Sequence, residues 1–148
     1  MPRVHPGASP KVPSRVTVVD EREDRNRRLL RARDTIDRCY RDDLDVPGLA
    51  AVALMSREHF IREFKKAYGE TPYRYLQRRR VERAMQMLRW SERSVTDICM
   101  EVGFSSLGTF SRTFTDIVGQ TPTEYRASTD RPTGYVPELF TMRWRRPR

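Results

Sequence analysis

The feature that most restricts how this chain can fold is a piece of punctuation written twice. Gly69-Glu70-Thr71-Pro72 is followed 50 residues later by Gly119-Gln120-Thr121-Pro122. Each residue of G-x-T-P has its own local consequence. A glycine adopts the left-handed conformation that ends a helix. A threonine hydroxyl caps the next helix, and a proline fits its first turn, where no amide donor is required. Glu124, three residues after Thr121, supplies the far side of a capping box, whereas Arg74 stands at that place in the first copy. A helix stop followed at once by a helix start, twice in 148 residues, predicts a string of short helices.

The repeat extends beyond the punctuation. At the same offset Ser56 matches Ser106, Phe60 and Phe64 match Phe110 and Phe114, Arg62 matches Arg112, and Tyr75 matches Tyr125. The spacing predicts two equivalent helices, each opened by a serine cap and anchored by an aromatic face. A shorter helix precedes each, at about 47–54 and 95–104. Gly103 supplies the turn of a helix-turn-helix in the second copy; the first has Ala53-Leu54-Met55 and no glycine.

Around this repeat the chain divides simply. Residues 1–20 carry Pro2, Pro6, Pro10 and Pro13 among polar residues and read as a disordered lead-in. From Glu21 to about Asp43, Leu29, Leu30, Ala32, Ile36, Cys39 and Tyr40 recur at helical spacing, predicting an amphipathic helix. Helical segments follow at about 47–54, 56–68, 72–90, 94–102, 106–118 and 122–128. Residues 130–148 form a basic, aromatic tail with Tyr135, Leu139, Phe140, Met142 and Trp144. No stretch alternates long enough to make a strand. The predicted class is all-α: two helix-turn-helix subdomains, at about 46–68 and 94–118, joined by a long linker helix at 72–90 and preceded by an amphipathic helix.

Composition narrows the chemistry. The formal charge is +9, and the only lysines are Lys11, Lys65 and Lys66. An arginine excess suits phosphate and guanine edges, although a GC-rich genome raises arginine content too. Cys39 and Cys99 lie in apolar helical patterns without a Cys/His cluster, so they read as reduced core thiols and not as a zinc site. His5 and His59 are isolated, and Asp42, Asp43 and Asp45 sit on a charged helix end. Neither a nucleophile with its base nor a phosphate loop appears, and the expectation is no catalysis, no metal and no cofactor. The absence of an apolar segment of spanning length or a signal-peptide core makes the cytoplasm, on the nucleoid, the expected location.

The stretch from about Asp45 to Tyr125 resembles the paired helix-turn-helix domain of the AraC/XylS family of bacterial transcription regulators. The resemblance is carried above all by SVTDICMEVGFSSLGTFSRTFTDIVGQTPTEYR, Ser94 to Arg126. The RRRVERAMQML segment is similar to that family's linker helix, and residues 21–129 correspond to its DNA-binding domain. The resemblance implies a sequence-specific regulator that places one recognition helix in each of two successive major grooves, usually with some bending of the DNA. Full-length relatives often add an effector-binding domain. No such domain is evident here, and the expected partner is double-stranded promoter DNA, bound as a monomer, with RNA polymerase as a possible second partner.

A helical wheel then nominates contacts. With Phe60, Phe64 and Ala67 inward, Glu58, His59 and Arg62 are the base-reading candidates of the first unit. With Phe110, Phe114 and Ile117 inward, Gly108, Thr109 and Arg112 are those of the second. Leu107 either touches a thymine methyl or packs inward. Arg57, Lys65, Lys66, Ser106, Thr115, Arg78 and Arg79 are candidates for the DNA backbone, with Arg83 beside the last two. Val81, Ala84 and Leu88 are expected to hold the linker to both halves. Two rival readings stand beside this one: a sequence-indifferent architectural DNA binder, and a protein-interaction module that antagonises a related regulator.

Overall fold

The computed structural model describes residues 14–128, with side chains from Asp20 onward. The lead-in before Ser14 and the tail after Ser128 lie outside the described residues. Seven helices and no strand make up the described part: α1 Ser14–Cys39, α2 Val46–Val52, α3 Arg57–Tyr68, α4 Pro72–Trp90, α5 Val95–Glu101, α6 Leu107–Val118 and α7 Pro122–Ser128. The amphipathic helix therefore begins at Ser14, inside the segment expected to be disordered, and ends at Cys39 instead of near Asp43.

The local chemistry of the punctuation holds in both copies. Gly69 and Gly119 end α3 and α6 at φ 79° and 88°. Their N–H groups donate to Lys65 O and Thr115 O at 2.7 and 2.8 Å. Thr71 and Thr121 accept from the amides of Arg74 and Glu124 at 3.2 and 3.1 Å. The capping box expected at Thr121 closes on this side only; among the described residues the Glu124 carboxylate makes no return bond. Asp45, Ser56, Ser94 and Ser106 cap α2, α3, α5 and α6 in the same way. Each such cap is worth about 1 kcal/mol, which matters in helices as short as α2 and α5.

Two separate apolar clusters form, and they share no residue. In the first, Leu29, Ala32 and Ile36 of α1 cover Leu49, Ala50, Phe60 and Phe64, with Tyr75 and Leu76 closing it. In the second, Val81, Ala84, Met85 and Leu88 of α4 cover Ile98, Cys99, Phe110, Phe114 and Ile117. The spacing of Val81, Ala84 and Leu88 is that of Leu29, Ala32 and Ile36, so α4 does for α5 and α6 what α1 does for α2 and α3. This corrects the expectation that Val81, Ala84 and Leu88 bind both halves: they belong to the second core alone. The start of the linker, at Tyr75 and Leu76, belongs to the first. Tyr75 packs on Phe64 and Tyr125 on Phe114, each pair of centroids 5.7 Å apart.

The repeat also changes register. Asp45 and Ser94, which cap α2 and α5, are 49 residues apart, whereas Ser56 and Ser106, which cap α3 and α6, are 50 apart. Phe104-Ser105 thus fills, in the second turn, the place that Met55 fills in the first. Cys99 is buried, while Cys39 is only partly so.

Candidate nucleic-acid interface

Burying the phenylalanines fixes what α3 and α6 present to solvent. Phe60, Phe64, Phe110 and Phe114 are all fully buried. The opposite face of α3 exposes Arg57, Glu58, Arg62, Lys65 and Lys66, with His59 partly covered. Among the described residues, the charged groups of Arg57, Arg62, Lys65 and Lys66 make no ion pair or hydrogen bond. Lys65 and Lys66 occupy the last turn of α3 and Glu58 the first, an arrangement that also suits the helix dipole. The remaining acid of the helix, Glu63, is half-buried and faces Arg25 at 3.7 Å.

On α6 the exposed face carries Ser106, Leu107, Gly108, Arg112 and Thr115, with Thr109 partly covered. Leu107 is 44% exposed and is not part of the second core. The Arg112 guanidinium is unpaired among the described residues. Ser106 Oγ is occupied as a cap, accepting from Thr109 N at 3.2 Å. Thr115 Oγ1 donates to Ser111 O at 2.7 Å. Asp116 is held by Arg74 of α4 at 3.0 Å. Both helices therefore present an unpaired arginine at the same turn, and α3 adds more positive charge than α6.

Arg78 and Arg79 are differently placed. The Arg78 side chain is 11% exposed, joined to Glu70 and Glu82, with its guanidinium carbon 5.1 Å from the Tyr75 ring centre. Arg79 donates to Glu82 at 2.6 Å. Its Nε also lies 3.1 Å from Asp37 Oδ1, a separation that qualifies as an ion pair. That Nε is nonetheless buried without an aligned hydrogen bond, so the Asp37 contact is Coulombic. Arg78 is engaged through all three of its nitrogens, whereas Arg79 uses Nε and Nη1. Arg83 is exposed and bonded to Gln86 at 2.9 Å.

The sequence reading missed two arginines of α4 and α7 that tie separate segments together. Arg80 and Arg126 each serve backbone carbonyls of distant segments. Arg80 reaches Tyr40 O and Asp42 O at 2.7 and 2.9 Å. Arg126 reaches Leu88 O and Arg93 O at 3.1 and 2.6 Å, sealing the C-terminal end of the linker. Nothing in an arginine-rich sequence distinguishes these two from their solvated neighbours.

Paired three-helix units, each with an exposed helix behind a tight turn, define a double helix-turn-helix DNA-binding architecture. Comparison with known proteins bears on the same residues. The family model described as a helix-turn-helix domain matches residues 49–128. A protein of Staphylococcus aureus strain COL, named an uncharacterized HTH-type transcriptional regulator, is 33% identical over 99 residues. That match covers 67% of this chain but only 13% of the relative's length. An AraC-type regulator from Chromobacterium violaceum superposes with a TM-score of 0.65 at 30% identity, covering 73% of this chain and 96% of that one. The DNA-binding domain of AdpA, a global transcriptional factor solved with a target DNA, gives 0.59 at 33% identity, with 64% and 84% covered. The chain belongs to the AraC-type family of sequence-specific, DNA-binding transcription regulators.

No helix among the described residues is long and apolar enough to cross a membrane. No group of three or more His, Cys, Asp or Glu among them is placed to hold a metal ion.

Proposed function

We propose that this chain regulates transcription by placing α3 and α6 in two successive major grooves of promoter DNA, as a monomer in the cytoplasm. The observation that carries this reading is the pair of equivalent exposed faces, each with an unpaired arginine, Arg62 and Arg112, in two units joined by one linker helix. That helix has 19 residues and spans about 28 Å at ~1.5 Å per residue. Successive major grooves on one side of the duplex recur every ~34 Å. Glu58, His59 and Arg62 read bases from α3, and Gly108, Thr109 and Arg112 from α6. Arg57, Lys65, Lys66, Ser106 and Thr115 meet phosphates. Arg78 and Arg79, whose guanidiniums already meet Glu70, Glu82 and Asp37, contribute less to phosphate contact than the unpaired cations of α3.

Selection of bound duplexes from a random pool at physiological salt tests this reading. The expected result is two short sequence blocks about one helical turn apart. A featureless pool, retained only at low salt, would replace it with architectural binding through phosphates alone.

A further inference from the structure

Two separate cores on one linker helix leave open what prevents the units from rocking about α4. Apolar packing does not join them directly, since the clusters share no residue. What bridges them is polar and lies off the linker's axis. Arg80 leaves α4 and donates through Nε to Tyr40 O at 2.7 Å and through Nη2 to Asp42 O at 2.9 Å. Both carbonyls belong to the segment between α1 and α2, in the first unit. The same guanidinium lies 5.8 Å from the ring centre of Phe104, in the turn of the second unit.

Gly103 completes the joint. Its φ is 100°. A Cβ there would stand 2.9 Å from Tyr40 O, 3.0 Å from Arg41 O and 3.0 Å from Arg80 Nε. Only a residue without a side chain lets the second turn lie this close to the first unit's backbone. Arg41 adds an ion pair to Glu101 of α5 at 3.3 Å, though both side chains are substantially exposed and the pair is weak. Burial lowers the Arg80 pKa, opposed by the charges of Tyr73 and Asp43, yet a guanidinium stays protonated. Two carbonyls satisfying one partly buried cation make a charge-assisted clamp of fixed geometry.

We infer that Arg80, seated between the Tyr40 and Asp42 carbonyls and the Gly103 turn, is the positioning residue that fixes α6 relative to α3 and so sets the spacing between half-sites. Mechanically the path is short. Tyr40 packs on the core that holds Phe60 and Phe64 of α3. Arg80 joins Tyr40 to Phe104, whose ring is 5.2 Å from that of Phe110 in α6. Each recognition helix is tied to one end of the clamp through its own phenylalanines. The spacing function rests on the two-groove reading above; the rigidity does not.

Two measurements separate these. In the first, spin labels at Ala51→Cys and Thr96→Cys, both exposed and off the recognition helices, report the distance between units in the free protein on a Cys39→Ser, Cys99→Ala background. A narrow distance distribution is expected, broadening at least about twofold with Arg80→Ala and narrowing again with Arg80→Lys, which restores a donor to the carbonyls. An unchanged width in Arg80→Ala overturns the clamp, whatever the protein does with DNA.

In the second, affinity is measured for duplexes carrying the selected blocks at their native spacing and with one base pair inserted. The insertion is expected to cost the parent protein about tenfold and Arg80→Ala about threefold or less, with binding to a single block unchanged. Parallel loss by Arg80→Ala at every spacing, single block included, overturns the spacing role. Indifference of the parent protein to spacing overturns both that role and the two-groove reading, while leaving the distance measurement to decide the clamp.

Discussion

Leu54 and Gly103 hold the same turn in the two units, and both are left-handed, at φ 56° and 100°. In each turn the left-handed residue's N–H donates to the carbonyl three back, and the next residue's to the carbonyl five back. Arg28 covers the first turn from outside, donating to Leu54 O at 3.0 Å. A left-handed leucine costs about 1–2 kcal/mol, and Leu54 is 70% exposed, so little burial offsets it.

The same exchange therefore has opposite signs at these two positions. Leu54→Gly relieves the strain but loosens the unfolded chain, for a net gain of about 0.5 kcal/mol. Gly103→Ala meets both the strained φ and the Tyr40 and Arg41 carbonyls, and is expected to cost at least about 2 kcal/mol. Denaturant unfolding of the two variants measures both; a loss at Leu54 would show that its side chain supports the turn in some other way.

These two residues also mark how far the sequence could be read. The stops at Gly69 and Gly119, the caps at Thr71 and Thr121, and the buried phenylalanines were legible because each follows from local sterics or a helical period. The turns were not equally legible. Gly103 announces itself, whereas a leucine in the left-handed region is the residue propensity argues against. With that landmark missing, the extra residue in the Phe104-Ser105 turn could not be placed. The exposed faces of α3 and α6 followed from the wheel. The fates of Arg79 and Arg80 did not, because meeting Asp37 or the Tyr40 and Asp42 carbonyls depends on the docking of α1 and the segment after it against α4. Similarly, Val81, Ala84 and Leu88 read correctly as an apolar stripe but not as the property of one core.

Alkaline pH should weaken the second unit. Burial pushes the Cys99 thiol above its ordinary value of 9.0. It also raises the Tyr125 hydroxyl above 10.0, against the opposing effect of Arg89. For both groups the folded pKa exceeds the unfolded one, so their contribution is fully present below the unfolded value. As pH rises past it, the unfolded chain releases a proton that the native state still holds, and stability falls. The expected slope begins near pH 9 and is bounded by about 1.4 kcal/mol per pH unit for each of the two groups. Cys99→Ala should be less stable at neutral pH but flatter between pH 9 and 10, as followed by denaturant midpoints. A parallel slope in the variant would assign the loss to other groups.

Gly108 offers a test in which stability and binding diverge. It stands in the first turn of α6, and the nearest atom to a Cβ there would be Ser106 Oγ at 3.8 Å. The fold does not need a glycine at that place. Gly108→Ala should therefore stabilise the protein by about 0.4–1 kcal/mol through the unfolded chain. If the first turn of α6 lies against DNA, the added methyl occupies the space the duplex needs, and affinity falls several-fold while the melting temperature rises. Thermal unfolding and a binding titration on the same preparation give both numbers. Affinity that rises with stability would place this turn away from the nucleic acid.

The two recognition faces are not chemically equal, and the difference predicts which one reads more sequence. α3 surrounds Arg62 with Glu58, His59, Lys65 and Lys66, whereas α6 surrounds Arg112 with Leu107, Gly108 and Thr109. Either arginine can meet guanine with two hydrogen bonds, worth about 1–3 kcal/mol of discrimination. With α3 in the groove, as proposed, further donors and acceptors around Arg62 could read neighbouring bases, and the lysines would hold the helix in register on the phosphates. Around Arg112 the neighbours offer one hydroxyl and apolar contact. Arg62→Ala should relax the selected sequence over several positions, and Arg112→Ala over one or two. Repeating the random-pool selection with each variant decides it: equal relaxation, or a larger effect at Arg112, would move the dominant reading to α6.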